Sequence, residues 1–181
     1  AANRDEIDSI RVADDFCDYR GPIYGRAFTK IILDRQAKLS EAIRAGGKYA
    51  VLHADGNIVP HLDRIGRAYD GVHPLDICSK STLSAALSWS SRLKEVRRIL
   101  PRAVFFTGLP IDLLCNNQIS VAELMEVVKN VILNVGSERL VLTTTHRPYP
   151  GWSFRDFEEK ACAVSRFIKN REYSRRSNPA M

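Results

Sequence analysis

Four residues able to do chemistry fall within one short stretch, His146-Arg-Pro-Tyr-Pro-Gly-Trp152. The imidazole of His146 and the guanidinium of Arg147 could together hold a phosphate, and Tyr149 or Trp152 could stack on a base. The plainer alternative is a proline-stiffened loop whose rings pack on the domain. A second stretch, His53-Ala-Asp-Gly-Asn57, offers Asp55 as the one plausible nucleophile. An aspartate nucleophile serves phosphoryl chemistry and normally works beside a metal. Set against His146, it would make a small esterase or phosphatase site. Its plainer reading is a turn in which Asp55 and Asn57 bond their own backbone and Gly56 takes a positive φ.

Other candidates are weaker. Ser79 and Ser81 stand in no G-x-S-x-G frame and are expected to cap a helix. Thr107-Gly-Leu-Pro-Ile-Asp112 could offer backbone N–H groups to an anion, but reads better as the exit of a strand. His53, His61 and His73 form no HExxH pair and are expected to be structural or surface residues. No glycine-rich dinucleotide or P-loop motif occurs, so no nucleotide cofactor is expected. Cys17, Cys78, Cys115 and Cys162 are scattered, with no close pair of the kind structural zinc uses. No metal is expected from them. Reduced, mostly buried thiols are expected, which points to an intracellular protein, cytoplasmic or nuclear.

Charge adds a candidate surface. The 181 residues carry a net +6, yet residues 1–20 hold six acids against three bases, which leaves +9 on the remainder. One basic group is Arg92, Lys94, Arg97, Arg98 and Arg102; a second is Arg166, Lys169, Arg171, Arg175 and Arg176. Either could track a phosphate backbone, or be a solvated helix face. The expected partner is a protein, a second copy or RNA. No apolar run is long enough to span a membrane, and the polar, acidic start is not that of a signal peptide.

These residues need a scaffold, and the hydrophobic pattern supplies one. Residues 1–25 read as an acidic extended arm broken by Gly21-Pro22 and Gly25. Arg26 to Ala45 has helical periodicity and ends at Gly46-Gly47. KYAVLHA, GVHPLDIC, AVFFTG and RLVLTTT read as four strands. Helices are expected between them: a short one in IVPHLDRIG, one from about Ser81 to Leu100, one from Ser120 and one from Ser153 to about Glu172. Ser120 and Glu123 have capping-box spacing. Strands alternating with helices predict an α/β domain over 26–172, a three-layer parallel sheet of flavodoxin-like type with helices on both faces, and a basic tail at 173–181. Ligands of such sheets lie beyond the carboxyl ends of the strands.

From Lys48 to Trp152 the chain resembles the SGNH hydrolase superfamily, in the reduced form found in retroelement and viral proteins. Val51–Asn57 resembles the strand and nucleophile block, Ser79–Leu87 the second block, Val104–Leu113 the third, and Val141–Pro148 the next strand. In that alignment Gly56 stands where the family has its serine, and the final Asp-x-x-His block has no counterpart. The resemblance therefore implies the fold without the triad: a catalytically inactive module for binding or assembly. Asp55–Val59 also resembles the first motif of haloacid-dehalogenase phosphatases, with His53 in place of the nucleophilic aspartate. The alternative to an inactive module is an active hydrolase using Asp55 and His146.

Overall fold

The computed structural model describes residues 6–170, apart from the side chain of Arg26. Along the chain run β1 (Ser9–Ala13), β2 (Cys17–Asp18), β3 (Gly21–Pro22), α1 (Arg26–Ala45), β4 (Tyr49–His53), α2 (Leu62–Ala68), β5 (Gly71–His73), α3 (Leu83–Ile99), β6 (Val104–Leu109), α4 (Ile111–Leu114), α5 (Val121–Val135), β7 (Leu140–Thr144) and α6 (Phe154–Lys169). β1, β4, β5, β6 and β7 form one sheet in that order, every pair parallel. β2 and β3 make a small antiparallel hairpin.

The α/β class and the parallel sheet flanked by helices are as expected. The winding differs from a flavodoxin-like sheet with helices on both faces. Each strand lies beside the one before it, so successive right-handed crossovers carry their helices to the same side. The packing agrees: α1 contacts α2, α2 contacts α3, α3 contacts α5 and α5 contacts α6, a single row. On the face towards that row lie Leu52, Val72 and Phe105, all buried. The opposite face carries Arg11, Tyr49, Val51, His53, Gly71, His73 and Phe106, as the alternation along paired strands requires.

Local chemistry explains the element ends. Ser120 and Glu123 form the expected capping box. Thr82, not Ser79 or Ser81, caps α3 by accepting from the Ala85 N–H, while the hydroxyls of Ser79 and Ser81 bond each other at 3.0 Å. β5 covers only the first three residues of GVHPLDIC, because Pro74 has no N–H to donate to a ladder. Residues 1–25 are not wholly an arm. Ser9–Ala13 form the edge strand of the sheet, and the hairpin after it places Phe16 and Cys17 in the core. The tail from Arg171 onward lies outside the described residues. Among the described residues no helix is long and apolar enough to cross a membrane.

Two core groups tie the row of helices to the sheet. Trp89 of α3 is fully buried and donates from Nε1 to the Leu75 carbonyl at 2.8 Å. Arg97 lies 3.7 Å over the Phe105 ring and donates to the carbonyls of Val135, Leu100, Ala103 and Arg139. Arg97 is therefore a structural clamp. Arg98 pairs with Glu95 at 2.8 Å, while Arg92, Lys94 and Arg102 of the first basic group are exposed.

Candidate functional site

Because all five strands run parallel, their carboxyl ends share one edge of the sheet. β4 and β5 pair in a register that sets His53 opposite His73. Their Nδ1 atoms lie 2.6 Å apart, and His73 Nε2 lies 3.2 Å from the Thr144 carbonyl at the end of β7. A carbonyl only accepts, so His73 carries its proton on Nε2 and has a lone pair on Nδ1. His53 must then donate from Nδ1, which leaves its own lone pair on Nε2. His73 is 6% exposed, and burial first, then the charge of Arg11, lowers its pKa to about 4. It is neutral, as this chain of bonds requires.

Two residues past His53 comes Asp55. Its backbone N–H donates to Asp15 Oδ1 at 2.9 Å, which draws the loop after β1 against the loop after β4. Gly56 is essential to that turn: its φ is +85°, and a Cβ there would lie 2.5 Å from the Cys17 carbonyl oxygen. The Asn57 N–H donates to the Asp18 carbonyl at 2.7 Å, so the hairpin and the turn are stitched together. Asp55 Oδ1 is buried with no hydrogen-bond partner. Burial, followed by Asp15, raises the Asp55 carboxyl, while His53, His146 and Lys80 act the other way.

The loop after β7 reaches this turn from the far side. On a flat sheet β4 and β7 would stand roughly 14 Å apart, three strand spacings. Yet His146 Nε2 lies 3.9 Å from Asp55 Oδ2. His146 Nδ1 donates to the Arg147 carbonyl at 3.1 Å, so Nε2 bears the lone pair. Tyr149 stacks on His146 with centroids 4.8 Å apart and its hydroxyl 3.3 Å from Nε2. Trp152 packs edge-on to Tyr149 at 5.0 Å. Beneath them, Lys80 is buried, ion-paired with Asp76 and 5.7 Å from the Trp89 ring centroid. Burial lowers Lys80 to about 8, against the pull of Asp112 and Asp55.

The fold is shared with a methyltransferase from Methanosarcina mazei. The match has a TM-score of 0.61 at 15% identity and covers 89% of this chain. It spans 42% of the methyltransferase, less than half of that protein's length. No family model matches the sequence, and no curated protein matches it.

The structure thus brings together Asp55, His146, Tyr149 and Trp152. Arg147 is exposed and enters through its carbonyl. Arg166 and Lys169 are exposed on the last turn of α6; Arg171, Arg175 and Arg176 lie outside the described residues. At the strand exit at 107–112 the Ile111 N–H donates to Thr145 Oγ1, and just beyond it those of Leu113 and Leu114 donate to the Pro110 carbonyl. His53 and His73 belong to the cluster, which their wide spacing in sequence conceals. Asp15 was hidden in the acidic segment. The signal that could have found both histidines is that each ends a strand-type run, where ligand-binding groups of parallel sheets gather.

Proposed function

We propose that this chain is a hydrolase of small esters, with its active centre at the carboxyl ends of β1, β4, β5 and β7. The observation that carries this reading is the approach of His146 Nε2, whose lone pair accepts from the Tyr149 hydroxyl, to Asp55. At 3.9 Å the two groups are not directly hydrogen-bonded, and Nε2 serves as a base once a water takes the place of the Tyr149 hydroxyl on it. A water beside them gives its proton to Nε2. Its oxygen bonds to the ester carbon or phosphorus as the bond to the leaving oxygen breaks, and the imidazolium returns the proton to the leaving alkoxide. Asp55 steadies the imidazolium. Tyr149 and Trp152, set edge to face, form an aromatic corner suited to an apolar substituent.

The SGNH-like resemblance favours an inactive module because Gly56 stands at the serine position. A water nucleophile removes that objection. Methyl transfer, the activity named for the structural neighbour, is the second reading, supported by the shared fold. The test is turnover of p-nitrophenyl acetate and p-nitrophenyl phosphate by the full chain. Wild type is expected to release p-nitrophenol, and Asp55→Asn and His146→Ala to lose about 10²-fold or more in kcat. Absence of turnover, or turnover unchanged in both variants, overturns the reading.

A further inference from the structure

We propose that Asp15, His53 and Asp55 bind one divalent transition-metal ion, and that His73 is a positioning residue that sets the tautomer of the histidine ligand. The proposal deepens the hydrolytic reading, on which its catalytic meaning rests. Each of the three residues offers one ligand atom, and these atoms lie within 4.8 Å of one another. Bonds of about 2.0–2.2 Å from a common ion set neighbouring tetrahedral ligands about 3.3–3.6 Å apart, so the site closes when the ligand atoms draw together by up to about 1.5 Å. The cluster comes from two strand ends and is already tied together by the bond from the Asp55 N–H to Asp15.

Two further observations point to a cation rather than to a solvated acidic surface. Asp55 Oδ1 is buried without a partner, an arrangement that costs free energy unless a donor or ion meets it. The nearby cation Lys80 does not meet it, because Lys80 is held by Asp76. The other observation is the relay from the Thr144 carbonyl through His73 to His53. It holds the His53 proton on Nδ1 and so leaves Nε2 as the nitrogen to ligate a metal. A hydrogen-bonding partner on the second ring nitrogen is what metal-bound histidines use to fix ring and tautomer. Two carboxylates and one imidazole suit Zn2+ or Mn2+ and would neutralise the charge of the ion. The metal would supply an activated water beside His146, whose Nε2 would accept its proton.

The experiment is calorimetric titration of the chelator-treated full chain with ZnCl2 and, separately, with MnCl2, which thiols bind poorly. One ion per chain is expected, with Asp15→Asn and His53→Gln each weakening affinity tenfold or more. His73→Leu is expected to weaken it 10–100-fold, the range seen when a ligand's supporting partner is lost, and His73→Gln, which keeps a donor and an acceptor, to lose less. Asp15 is exposed, so Asp15→Asn keeps the proposal testable if the buried His73 variants do not fold. No uptake by wild type, or equal uptake by Asp15→Asn and His53→Gln, overturns the site. Equal loss in His73→Leu and His73→Gln, with both folded, overturns the positioning role. Ligand-dependent uptake without ester turnover sustains the site and overturns the hydrolase. Turnover by a protein that takes up no metal does the reverse.

Discussion

Two glycines allow one energetic term to be isolated. Gly56 and Gly136 both have a positive φ, +85° and +84°, and at Gly136 ψ is 156°, a conformation essentially reserved for glycine. They differ in surroundings: a Cβ on Gly136 meets nothing within 4 Å, whereas one on Gly56 meets the Cys17 carbonyl oxygen at 2.5 Å and the Asp18 carbonyl carbon at 2.9 Å. Gly→Ala at either site incurs a positive-φ penalty of about 1–3 kcal/mol, less about 0.4–1 kcal/mol recovered from the stiffer unfolded chain. Gly136→Ala should therefore cost about 1–2 kcal/mol. Gly56→Ala carries the same cost plus the displacement of backbone, about 1–3 kcal/mol more by analogy with overpacked sites. The assay is urea denaturation with fluorescence from Trp89 and Trp152, comparing midpoints at unchanged m. For a chain of this length the extra cost should also lower Tm by about 2–4 °C per kcal/mol. If the two variants agree within about 0.5 kcal/mol, the crowding between the turn and the hairpin does not exist as described. The same variant should weaken metal uptake, since it pushes the loop bearing Asp15 from the loop bearing Asp55.

Arg97→Lys should cost about 2–3 kcal/mol in the same denaturation assay, although charge is kept, because an ammonium can neither fork to four carbonyls nor lie flat on Phe105; a loss under about 0.5 kcal/mol would count against the clamp. Tyr69 is 3% exposed, and burial, then Asp14, raises its pKa to about 12. A raised phenol holds its proton in the folded state after the unfolded state has released it, so stability is intact below about pH 10 and falls as pH rises towards 12. For this one group the loss at pH 11 is about 1.4 kcal/mol relative to pH 9. Tyr69→Phe should lose that much less over the same interval, and parallel pH curves for the two proteins would refute the assignment.

Much of this fold is legible in the sequence because its signals are local. The spacing of Phe28, Ile31, Ile32, Leu39 and Ile43, with Gly46-Gly47 behind them, marks α1 to the residue. Ser120 and Glu123 mark α5 through bonds that span three positions. β1 is harder to see. It is a five-residue edge strand in which only Ile10 and Val12 carry the alternation, and the surrounding acids disguise it. The site divides in the same way. Asp55 and His146 can be singled out as reactive types in loops. Their contact cannot, because 90 residues of chain separate them and only the stacking order of strands brings them together. The pairing of His53 with His73 depends on the β4–β5 register, which no spacing in the sequence reveals.

The single-file order of the strands has a thermodynamic consequence. A sheet in which every unit touches only its predecessor and successor is a ladder, and a ladder opens from its ends. β1 and β7 are those ends, so local opening should begin there, well below the free energy of global unfolding. The cluster cuts across this order. Asp15 follows β1, His53 and Asp55 follow β4, and His146 and the Thr144 carbonyl belong to β7. Anything bound among them joins the first rung to the last and turns the ladder into a closed ring. Occupancy would then be transmitted as slower amide exchange at both edges together, although three strands lie between them.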